Sequence, residues 1–318
     1  MKSDASYLVS WSIEPEMNSY DVAIAYRIYP KVAESALGLP FSDDKVRLSE
    51  ICLRSFKESL GDLRVKLWVL LDGCPNEYVE LFKRYFDAQD LVLILLDHEG
   101  NRATFAKQIE ILLGQKNSEL VYFAEDDYLY LPNQFTHMVE FLRAHKKDVD
   151  FVTPYDHLDC YTLEIHRHPK WVRVHAGHHW RTAASTCLTF LTRKDTLRRK
   201  QEIFRSYCRR NHDCSVWLSL TKHSVFDPFQ LLRFVYQQPL FAKIIAKAWV
   251  HDWHQILFGE RMKLWVPVPG IATHLNSNAL SPTIDWIALM KEQAAGMALE
   301  SGQCESGVEP RSSSALVG

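Results

Sequence analysis

Three adjacent carboxylates, Glu125, Asp126 and Asp127, follow the apolar run "LVYFA" and precede the aromatic run "YLYLP". Carboxylate oxygens bind hard divalent cations such as Mg²⁺, and such a cation commonly also holds a phosphate-bearing substrate. The chain contains neither G-x-x-x-x-G-K-[ST] nor G-x-G-x-x-G, so no glycine-rich loop is available to cradle phosphate groups. The cluster therefore predicts a site for a metal and a phosphate. The alternative is an acidic turn at a solvated strand end.

Strand and helix patterns alternate along the first half of the chain. The predicted strands are "DVAIAYRIYP" from Asp21, "VKLWVLLD" ending at Asp72, "LVLILLD" ending at Asp97, and "LVYFA". The predicted helices run from about Val46 to Leu60, with Gly61 as the stop, and over "EYVELFKRYF" and "ATFAKQIEILL". This order predicts a mainly parallel sheet with helices on both faces, which binds ligands beyond the carboxyl ends of its strands.

Asp72, Asp97 and the three carboxylates should therefore lie on the same edge of the sheet. Asp72 and Asp97 each end a strand, so the alternative for both is a turn or cap residue.

The second half of the chain is less regular. A loop rich in histidine and aromatic residues is predicted from about Tyr155 to Arg181, and a strand over "STCLTFLT". Helices are predicted over "RKDTLRRKQEIFRSYCRR" and "DCSVWLSLTKH", and a break at Pro239. An extended stretch, "LWVPVPGIATHLN", ends near His274. From about Gly296 the chain is rich in Ser, Gly and Glu, which predicts a disordered tail over 296–318.

The overall composition is that of an ordinary globular protein, with 318 residues, 47% of them hydrophobic and 24% charged. The net charge of -2 provides no global basic field, so no nucleic-acid partner is expected. No stretch reaches the ~20 apolar residues of a membrane span. Seven cysteines without a C-x-x-C pair, and an N-terminus without a signal-peptide pattern, predict reduced thiols and a cytoplasmic location.

The order strand, "LLDG", strand, "HEGNRATFAKQIEILL", strand, "AEDD" resembles the nucleotide-sugar-binding half of GT-A glycosyltransferases, and most of all the inverting group related to family 2. The resemblance implies a GT-A-like α/β fold in a single catalytic domain over 1–295. In that domain, about 1–151 would bind the nucleotide sugar and about 152–295 the acceptor. It also implies a D-x-D motif in which Glu125 and Asp127 fill the two D positions.

On this resemblance, Asp127 and His274 of "PVPGIATHLN" are the metal ligands, and the cofactor is Mn²⁺ or Mg²⁺. The catalytic base is Asp213 of "NHDCSVWLSL", where His212 replaces the usual acidic residue. We expect burial beside an acceptor to raise the pKa of Asp213 toward the working range. Taken alone, Asp213 also fits a helix N-cap and His274 a buried histidine.

The remaining site residues follow from the same model. Residues expected to bind the nucleotide sugar are Arg27, Tyr29, Asp72, Asp97, Asn101, Arg102, Glu125 and Asp126. Arg27 and Tyr29 would contact the base, and the alternative for both is packing. Asn101 and Arg102 lie in the loop nearest the diphosphate, and the alternative for Arg102 is a solvated surface arginine. Trp180 and His212 are expected on the acceptor side, with Trp180 as a platform for a sugar ring or, alternatively, a core residue.

The resemblance implies a metal-dependent inverting glycosyltransferase with a nucleotide-sugar donor and a glycan or lipid-linked acceptor. Two other classes stay open. A nucleotidyltransferase is one, since it also binds a metal ion together with a nucleotide. The histidines His157, His166, His168, His175, His178 and His179 suggest a non-enzymatic metal-binding module, although their spacing fits no recognised zinc pattern.

The stretch from Phe226 to Val250 is apolar and basic, which makes it a candidate for peripheral contact with the inner membrane surface. Arg233, Lys243 and Lys247 would then meet anionic headgroups. The alternative is an ordinary buried helix pair.

Overall fold

The structure, a computed structural model, describes residues 19–305, and side chains as far as Met297. The strands are β1 (Val22–Ile28), β2 (Val65–Asp72), β3 (Leu91–Leu96), β4 (Leu120–Glu125), β5 (Tyr128–Tyr130), β6 (Phe151–Val152), β7 (Val172–His175), β8 (His178–Ala183), β9 (Phe190–Arg193), β10 (Leu264–Val268) and β11 (Ala272–His274). The helices are α1 (Lys45–Ser59), α2 (Asn76–Tyr85), α3 (Asn101–Gly114), α4 (Phe135–Ala144), α5 (Asp159–Thr162), α6 (Lys194–Cys208), α7 (Asp213–Thr221), α8 (Pro228–Gln237), α9 (Pro239–Phe258) and α10 (Trp286–Glu305). Every strand and helix predicted in the first half of the chain is present.

A nine-stranded sheet has the order β3-β2-β1-β4-β9-β6-β10-β8-β7. The four strands β3, β2, β1 and β4 are parallel, and β9 is antiparallel to both β4 and β6. The predicted fold class, a GT-A-like α/β fold with a mainly parallel central sheet, is confirmed.

Strand β1 shows why helices cover both faces of the sheet. All seven of its residues are buried, and successive side chains point to opposite faces. Val22, Ile24 and Tyr26 pack into one core cluster, whereas Ala23 and Ala25 pack into the other with α3. A strand that is apolar on both faces requires cover on both sides, which the three-layer arrangement provides.

A second, two-stranded sheet positions the C-terminal part of the candidate site. β11 pairs antiparallel with β5, so that His274 lies opposite Tyr128. The backbone N–H of Leu275 donates to the carbonyl oxygen of Asp127 at 2.8 Å. This pairing brings His274 beside the carboxylate cluster, although they are far apart in the sequence.

Two predictions about irregular segments are wrong. The predicted loop from Tyr155 to Arg181 contains a hairpin, since β7 and β8 pair and β8 joins the main sheet through β10. Its turn, Ala176 and Gly177, has positive φ at both residues, as a two-residue hairpin turn requires. The tail predicted from Gly296 instead continues α10 to Glu305, and 306–318 lie outside the described residues.

The break predicted at Pro239 is confirmed, since α8 ends at Gln237 and α9 begins at Pro239. Between residues 19 and 305, no helix has both the length and the apolar character needed to cross a membrane. The cysteines of this part of the chain are free thiols, namely Cys52, Cys74, Cys160, Cys187, Cys208 and Cys214.

Candidate active site

A cleft of about 540 Å³ lies at the carboxyl ends of β1, β2 and β4, where the sheet order predicts a ligand site. Its volume lies within the range of small-molecule sites. Seven residues expected from the sequence line it, namely Arg27, Tyr29, Asp72, Asn101, Glu125, Asp126 and Asp127. Others that the sequence analysis missed also line it, among them Lys31, Lys45, His98 and Thr104.

Two residues expected to bind the nucleotide sugar do not line this cleft. Asp97 follows β3 and is exposed, whereas its neighbour His98 turns toward the cleft. Arg102 lies in the first turn of α3 and is also exposed.

The expectation that Trp180 is an exposed sugar platform is wrong. Its side chain has no exposed surface and stacks on Phe141, with ring centroids 4.1 Å apart and planes 5° from parallel. The indole N–H donates to the carbonyl oxygen of His175 at 3.4 Å. Trp180 is therefore a core residue between α4 and the sheet.

Arg27 and Glu125 form a buried ion pair with an N–O distance of 2.5 Å. The other carboxylate oxygen of Glu125 accepts a hydrogen bond from the Thr189 hydroxyl at 2.7 Å. The Arg27 guanidinium also donates to the Asn101 carbonyl oxygen at 3.0 Å and to the Asn101 side-chain oxygen. These contacts tie β1, β4 and the start of α3 into one rigid wall of the cleft.

Asp72 positions the loop between β3 and α3. The side chain is 3% exposed, and its two oxygens accept the backbone N–H groups of Glu99 at 2.7 Å and Gly100 at 2.8 Å. The loop held in this way carries His98 and Asn101 into the cleft. In this structure, the Asp72 carboxylate therefore shapes the site through the loop.

Lys45 approaches Asp126 with an N–O distance of 2.5 Å. Burial disfavours the charged ammonium, but the Asp126 carboxylate outweighs this effect and raises the pKa of Lys45. Lys45 is the first residue of α1, where the helix dipole disfavours a cation. A lysine at this unfavourable position is the one sequence feature that could have indicated a functional role for Lys45.

Asp127 lines the cleft and contacts His274, which does not line it. The His274 Nε2 atom lies 3.0 Å from Asp127 Oδ2, while Asp127 Oδ1 is buried and has no hydrogen-bond partner in the described part of the chain. Burial disfavours both the Asp127 carboxylate and the protonated His274 ring. The Asp127 carboxylate nevertheless raises the pKa of His274 to about 9, and His274 holds the pKa of Asp127 below its ordinary value.

The unpaired oxygen of Asp127 fits a cation, because a buried acceptor without a partner is costly. Carboxylate and imidazole together suit Mn²⁺. Between residues 19 and 305, no cluster of three or more His, Cys, Asp or Glu side chains is arranged to hold a metal. Asp127 and His274 would supply two ligands, and water or a substrate would complete the coordination.

Asp213 lies at the start of α7 with its side chain 35% exposed. Its Oδ1 atom is 2.6 Å from His212 Nδ1 and accepts the Cys214 backbone N–H at 2.6 Å. Burial opposes ionisation, but the hydrogen bond and charge of His212 outweigh it and lower the pKa of Asp213. In the protein without an acceptor, the pKa of Asp213 is thus lowered by His212, whereas the expected rise concerned burial beside a bound acceptor.

Asp213 does not line the cleft, but its charge acts on two neighbouring side chains. The pKa of His157 is lowered mainly by burial, and the charges of His274 and Asp213 also act on its ring. The pKa of Tyr207 is raised, again mainly by burial, and the charges of Arg27 and Asp213 act on its hydroxyl. The sequence analysis considered His157 only as part of the histidine-rich loop and did not consider Tyr207.

Three other histidines of the predicted loop, His168, His175 and His178, each pack on a different histidine outside the loop. His178 packs on His137 at 4.3 Å, His175 on His145 at 5.0 Å, and His168 on His223 at 3.7 Å between ring centroids. These are separate ring contacts, and the three pairs do not converge on one ion. The arrangement gives the metal-binding-module alternative no support.

Comparison with known proteins gives one family match. The model described as "Glycosyl transferase family 2" matches residues 50–226, more than half of the chain. This range contains Asp72, the three carboxylates and Asp213, whereas Arg27 and His274 lie outside it. A comparison with curated proteins finds no match.

Several solved structures are similar to this chain at low identity. The galactosyltransferase LgtC in complex with donor and acceptor sugar analogs is 12% identical over 86% of this chain and 95% of its own, with a TM-score of 0.44. The glycosyltransferase GlyE of Streptococcus pneumoniae TIGR4 is 14% identical over 92% and 65%, with a TM-score of 0.42. TarS 1-349 of S. aureus in complex with UDP-GlcNAc is 12% identical over 57% and 47%, with a TM-score of 0.33.

Proposed function

Because this chain belongs to glycosyl transferase family 2, we propose that it moves a sugar from a nucleotide-diphosphate sugar to an acceptor hydroxyl, with a divalent cation and with inversion at the anomeric carbon. The observation that carries the metal-dependent part is Asp127. One oxygen of its carboxylate contacts His274, and the other is buried without a hydrogen-bond partner among the described residues. The acceptor is a glycan or a lipid-linked sugar.

The donor nucleotide lies along the cleft between β1 and the β3–α3 loop. Tyr29 and His98 face each other there edge to face, with ring centroids 6.5 Å apart, and Tyr29 is 39% exposed. An exposed aromatic ring offers a planar base a surface to stack on. Lys31 lines the same end of the cleft and adds positive charge for the nucleotide phosphates.

Asp127 and His274 would hold the cation, with Mn²⁺ favoured over Mg²⁺ because one ligand would be an imidazole nitrogen. When bound, the cation would supply positive charge to the diphosphate as it leaves. Asp127 would contribute its unpaired Oδ1, and His274 its Nε2 after releasing the proton that the Asp127 carboxylate otherwise stabilises on it. Lys45 and Arg27 are occupied by Asp126 and Glu125, so they hold the walls of the cleft and leave the charge of the diphosphate to the cation.

Asp213 accepts the proton of the acceptor hydroxyl as the new C–O bond forms. Its low pKa keeps the carboxylate ionised at neutral pH, and the backbone N–H of Cys214 fixes its direction. The acceptor oxygen attacks the anomeric carbon from the face opposite the leaving nucleotide, which inverts the configuration. His212 orients the carboxylate and is the main rival for the role of base.

Analysis of both products of the reaction tests this function. Purified protein with Mn²⁺ and a panel of nucleotide sugars should release a nucleoside diphosphate together with a glycosylated acceptor. Asp127→Ala should abolish this release, whereas Asp97→Ala, which changes an exposed carboxylate outside the cleft, should not. Release of pyrophosphate from a nucleoside triphosphate and a sugar phosphate would instead make the protein a nucleotidyltransferase.

A further inference from the structure

Helices α8 and α9 expose an unusual amount of apolar surface. Of the seventeen large hydrophobic side chains that are exposed in the described part of the chain, ten lie between Phe226 and Phe258. The α8–α9 face is defined by these ten residues, which are Phe226, Phe229, Leu232, Val235, Tyr236, Leu240, Val250, Trp253, Leu257 and Phe258. A concentration of exposed apolar side chains on one helix pair points to an interaction site.

Helix α8 carries apolar residues on both its sides. Phe229, Leu232 and Tyr236 stand at i, i+3 and i+7, so they share the outer face, and Phe229 is 84% exposed. The opposite side buries Phe234, which packs edge to face against Phe241 of α9.

Helix α9 repeats this pattern over twenty residues. Ile245 and Ala248 are buried against the rest of the protein, whereas Leu240, Val250 and Leu257 are exposed on the other side. A helix that is apolar all round is normally covered all round. The buried-helix-pair alternative therefore describes the inner side of these helices and leaves the outer side unexplained.

The charged side chains between Pro228 and His251 are all basic, whereas the α8 N-cap Asp227 and the buried Asp252 of α9 are carboxylates. From Pro228 to His251 the chain contains Arg233, Lys243 and Lys247 and no carboxylate. Lys243 is exposed and forms no ion pair within the described residues, and the Lys247 ammonium donates to the Arg210 carbonyl oxygen at 2.8 Å. Arg233 differs from the expectation, since it pairs with Glu164 and is not free to meet a headgroup.

This charge pattern selects among possible occupants. A second copy of the same face would bring the uncompensated lysines of both copies together, which is unfavourable in an apolar contact. A surface of anionic headgroups over an apolar layer complements both the lysines and the aromatic side chains.

We propose that the α8–α9 face binds the surface of a bilayer that contains anionic phospholipids. Phe229, Tyr236 and Val250 enter the interface, and Lys243 contacts the headgroups. Binding at this face does not depend on glycosyl transfer and goes beyond the proposed function.

The same face is firmly connected to α7, the helix that begins at Asp213. The Ser215 hydroxyl of α7 donates to the Ile244 carbonyl oxygen of α9 at 2.7 Å. The Asp252 carboxylate, at a kink in α9, accepts hydrogen bonds from Asn211 and Ser219. A bilayer bound by α8 and α9 would therefore lie beside the acceptor half. Membrane binding itself is independent of the proposed function, whereas the delivery of a lipid-carried acceptor from that bilayer would depend on it.

Flotation with vesicles tests the proposal without donor, metal or turnover. Wild-type protein should float with vesicles of phosphatidylglycerol and phosphatidylcholine at low salt. The double variant Phe229→Ser with Tyr236→Ser should lose this binding by about tenfold or more. The control, Leu95→Ser with Val172→Ser, removes two exposed apolar side chains elsewhere and should float like the wild type.

A charge variant provides the second arm. Lys243→Gln should lower the partition coefficient about fivefold on the anionic vesicles and leave any binding to pure phosphatidylcholine unchanged. Equal thermal unfolding of all variants would show that the substitutions act at the surface. Wild-type protein that stays at the bottom of the gradient, or face variants that float normally, would overturn the proposal. The proposal would also be overturned if the wild type did not bind vesicles and light scattering showed a dimer that the double variant Phe229→Ser with Tyr236→Ser converts to a monomer.

Discussion

At the scale of single residues, Asp127 and Asp213 are two carboxylates whose surroundings assign them different tasks. Asp127 is buried beside His274 with one oxygen unpaired, which suits a cation. Asp213 is 35% exposed, ionised and held by His212 and a backbone N–H, which suits proton transfer to a group arriving from solvent. Two titratable groups of the same type can divide a reaction between them when their environments differ in this way.

Substitution of Asp213 tests its assignment as base. Asp213→Asn should keep nucleotide-sugar affinity within a few-fold and lower the transfer rate by about 10²-fold or more, because the amide cannot accept the proton. His212→Gln, which preserves a polar side chain at the same place, should keep most of the activity. The reverse outcome would move the base to His212. Near-wild-type turnover in both variants would leave Asp213 as a helix-terminal residue only.

At the scale of elements, the site depends on how strand ends and helix starts are fixed to one another. The turn after β2 shows this most clearly. Gly73 has a φ of +67°, and a Cβ atom there would overlap the imidazole ring of His98. The "LLDG" sequence thus ends in glycine because the β3–α3 loop, held by Asp72, closes directly over it.

Gly73→Ala should therefore push His98 out of the cleft and weaken donor binding. We also expect it to lower the free energy of unfolding by about 1 to 3 kcal/mol, through backbone strain and the displaced ring. Gly61→Ala is the matched control, since Gly61 also has a positive φ but only ordinary contacts at its Cβ position. Calorimetric donor titration should be unchanged in that control. Equal donor affinity in both glycine variants would show that the β3–α3 loop does not shape the nucleotide site.

The kink of α9 provides a pH-dependent element. Burial raises the pKa of Asp252 from its ordinary value of 3.8 to about 7, and the hydrogen bonds from Ser206, Ser219 and Asn211 only reduce this shift. Between these two pH values, the folded protein holds a proton that the unfolded chain releases. The resulting contribution to stability is complete below the unfolded pKa and is lost as the pH rises through about 7.

Asp252→Asn keeps a neutral side chain at every pH and should remove this loss. Denaturant unfolding of the wild type and the variant, from about pH 5 to about pH 8, should show the variant gaining stability relative to the wild type as the pH rises. Because the histidines titrate in both proteins, their contribution to the pH dependence of stability cancels in the comparison. Parallel curves would mean that Asp252 is already ionised in the folded protein at pH 5.

At the scale of the whole molecule, the first half of the chain was predictable because its strands and helices alternate as local units, each with its own apolar period. In the second half, α6, α7 and the break at Pro239 were also predictable, whereas the pairing of β10 with β8 and the hairpin of β7 and β8, which is rich in polar histidine, were not. Trp180 illustrates the limit for single residues. A sugar platform and a core tryptophan look alike in a sequence, and only the stacking on Phe141 separates them.

The candidate site was predictable where a residue type stands at a strand end, as Asp72 and Asp127 do. Lys45 was missed because it reaches the cleft from a segment without a recognisable motif. His274 was expected only from the order of motifs, and the pairing of β11 with β5 supplies the physical reason for its position.

The most direct test of the central claim is calorimetry of nucleotide-sugar binding with and without Mn²⁺, in wild-type protein, Asp127→Ala, His274→Ala and the exposed-carboxylate control Asp97→Asn. Binding should require Mn²⁺ in the wild type and the control. It should weaken about 10-fold to 100-fold in Asp127→Ala and His274→Ala, as expected when a metal site loses a ligand or its partner. Unchanged Mn²⁺-dependent binding in Asp127→Ala would contradict the account, because no other carboxylate in the cleft has a buried oxygen left unpaired in the described part of the chain.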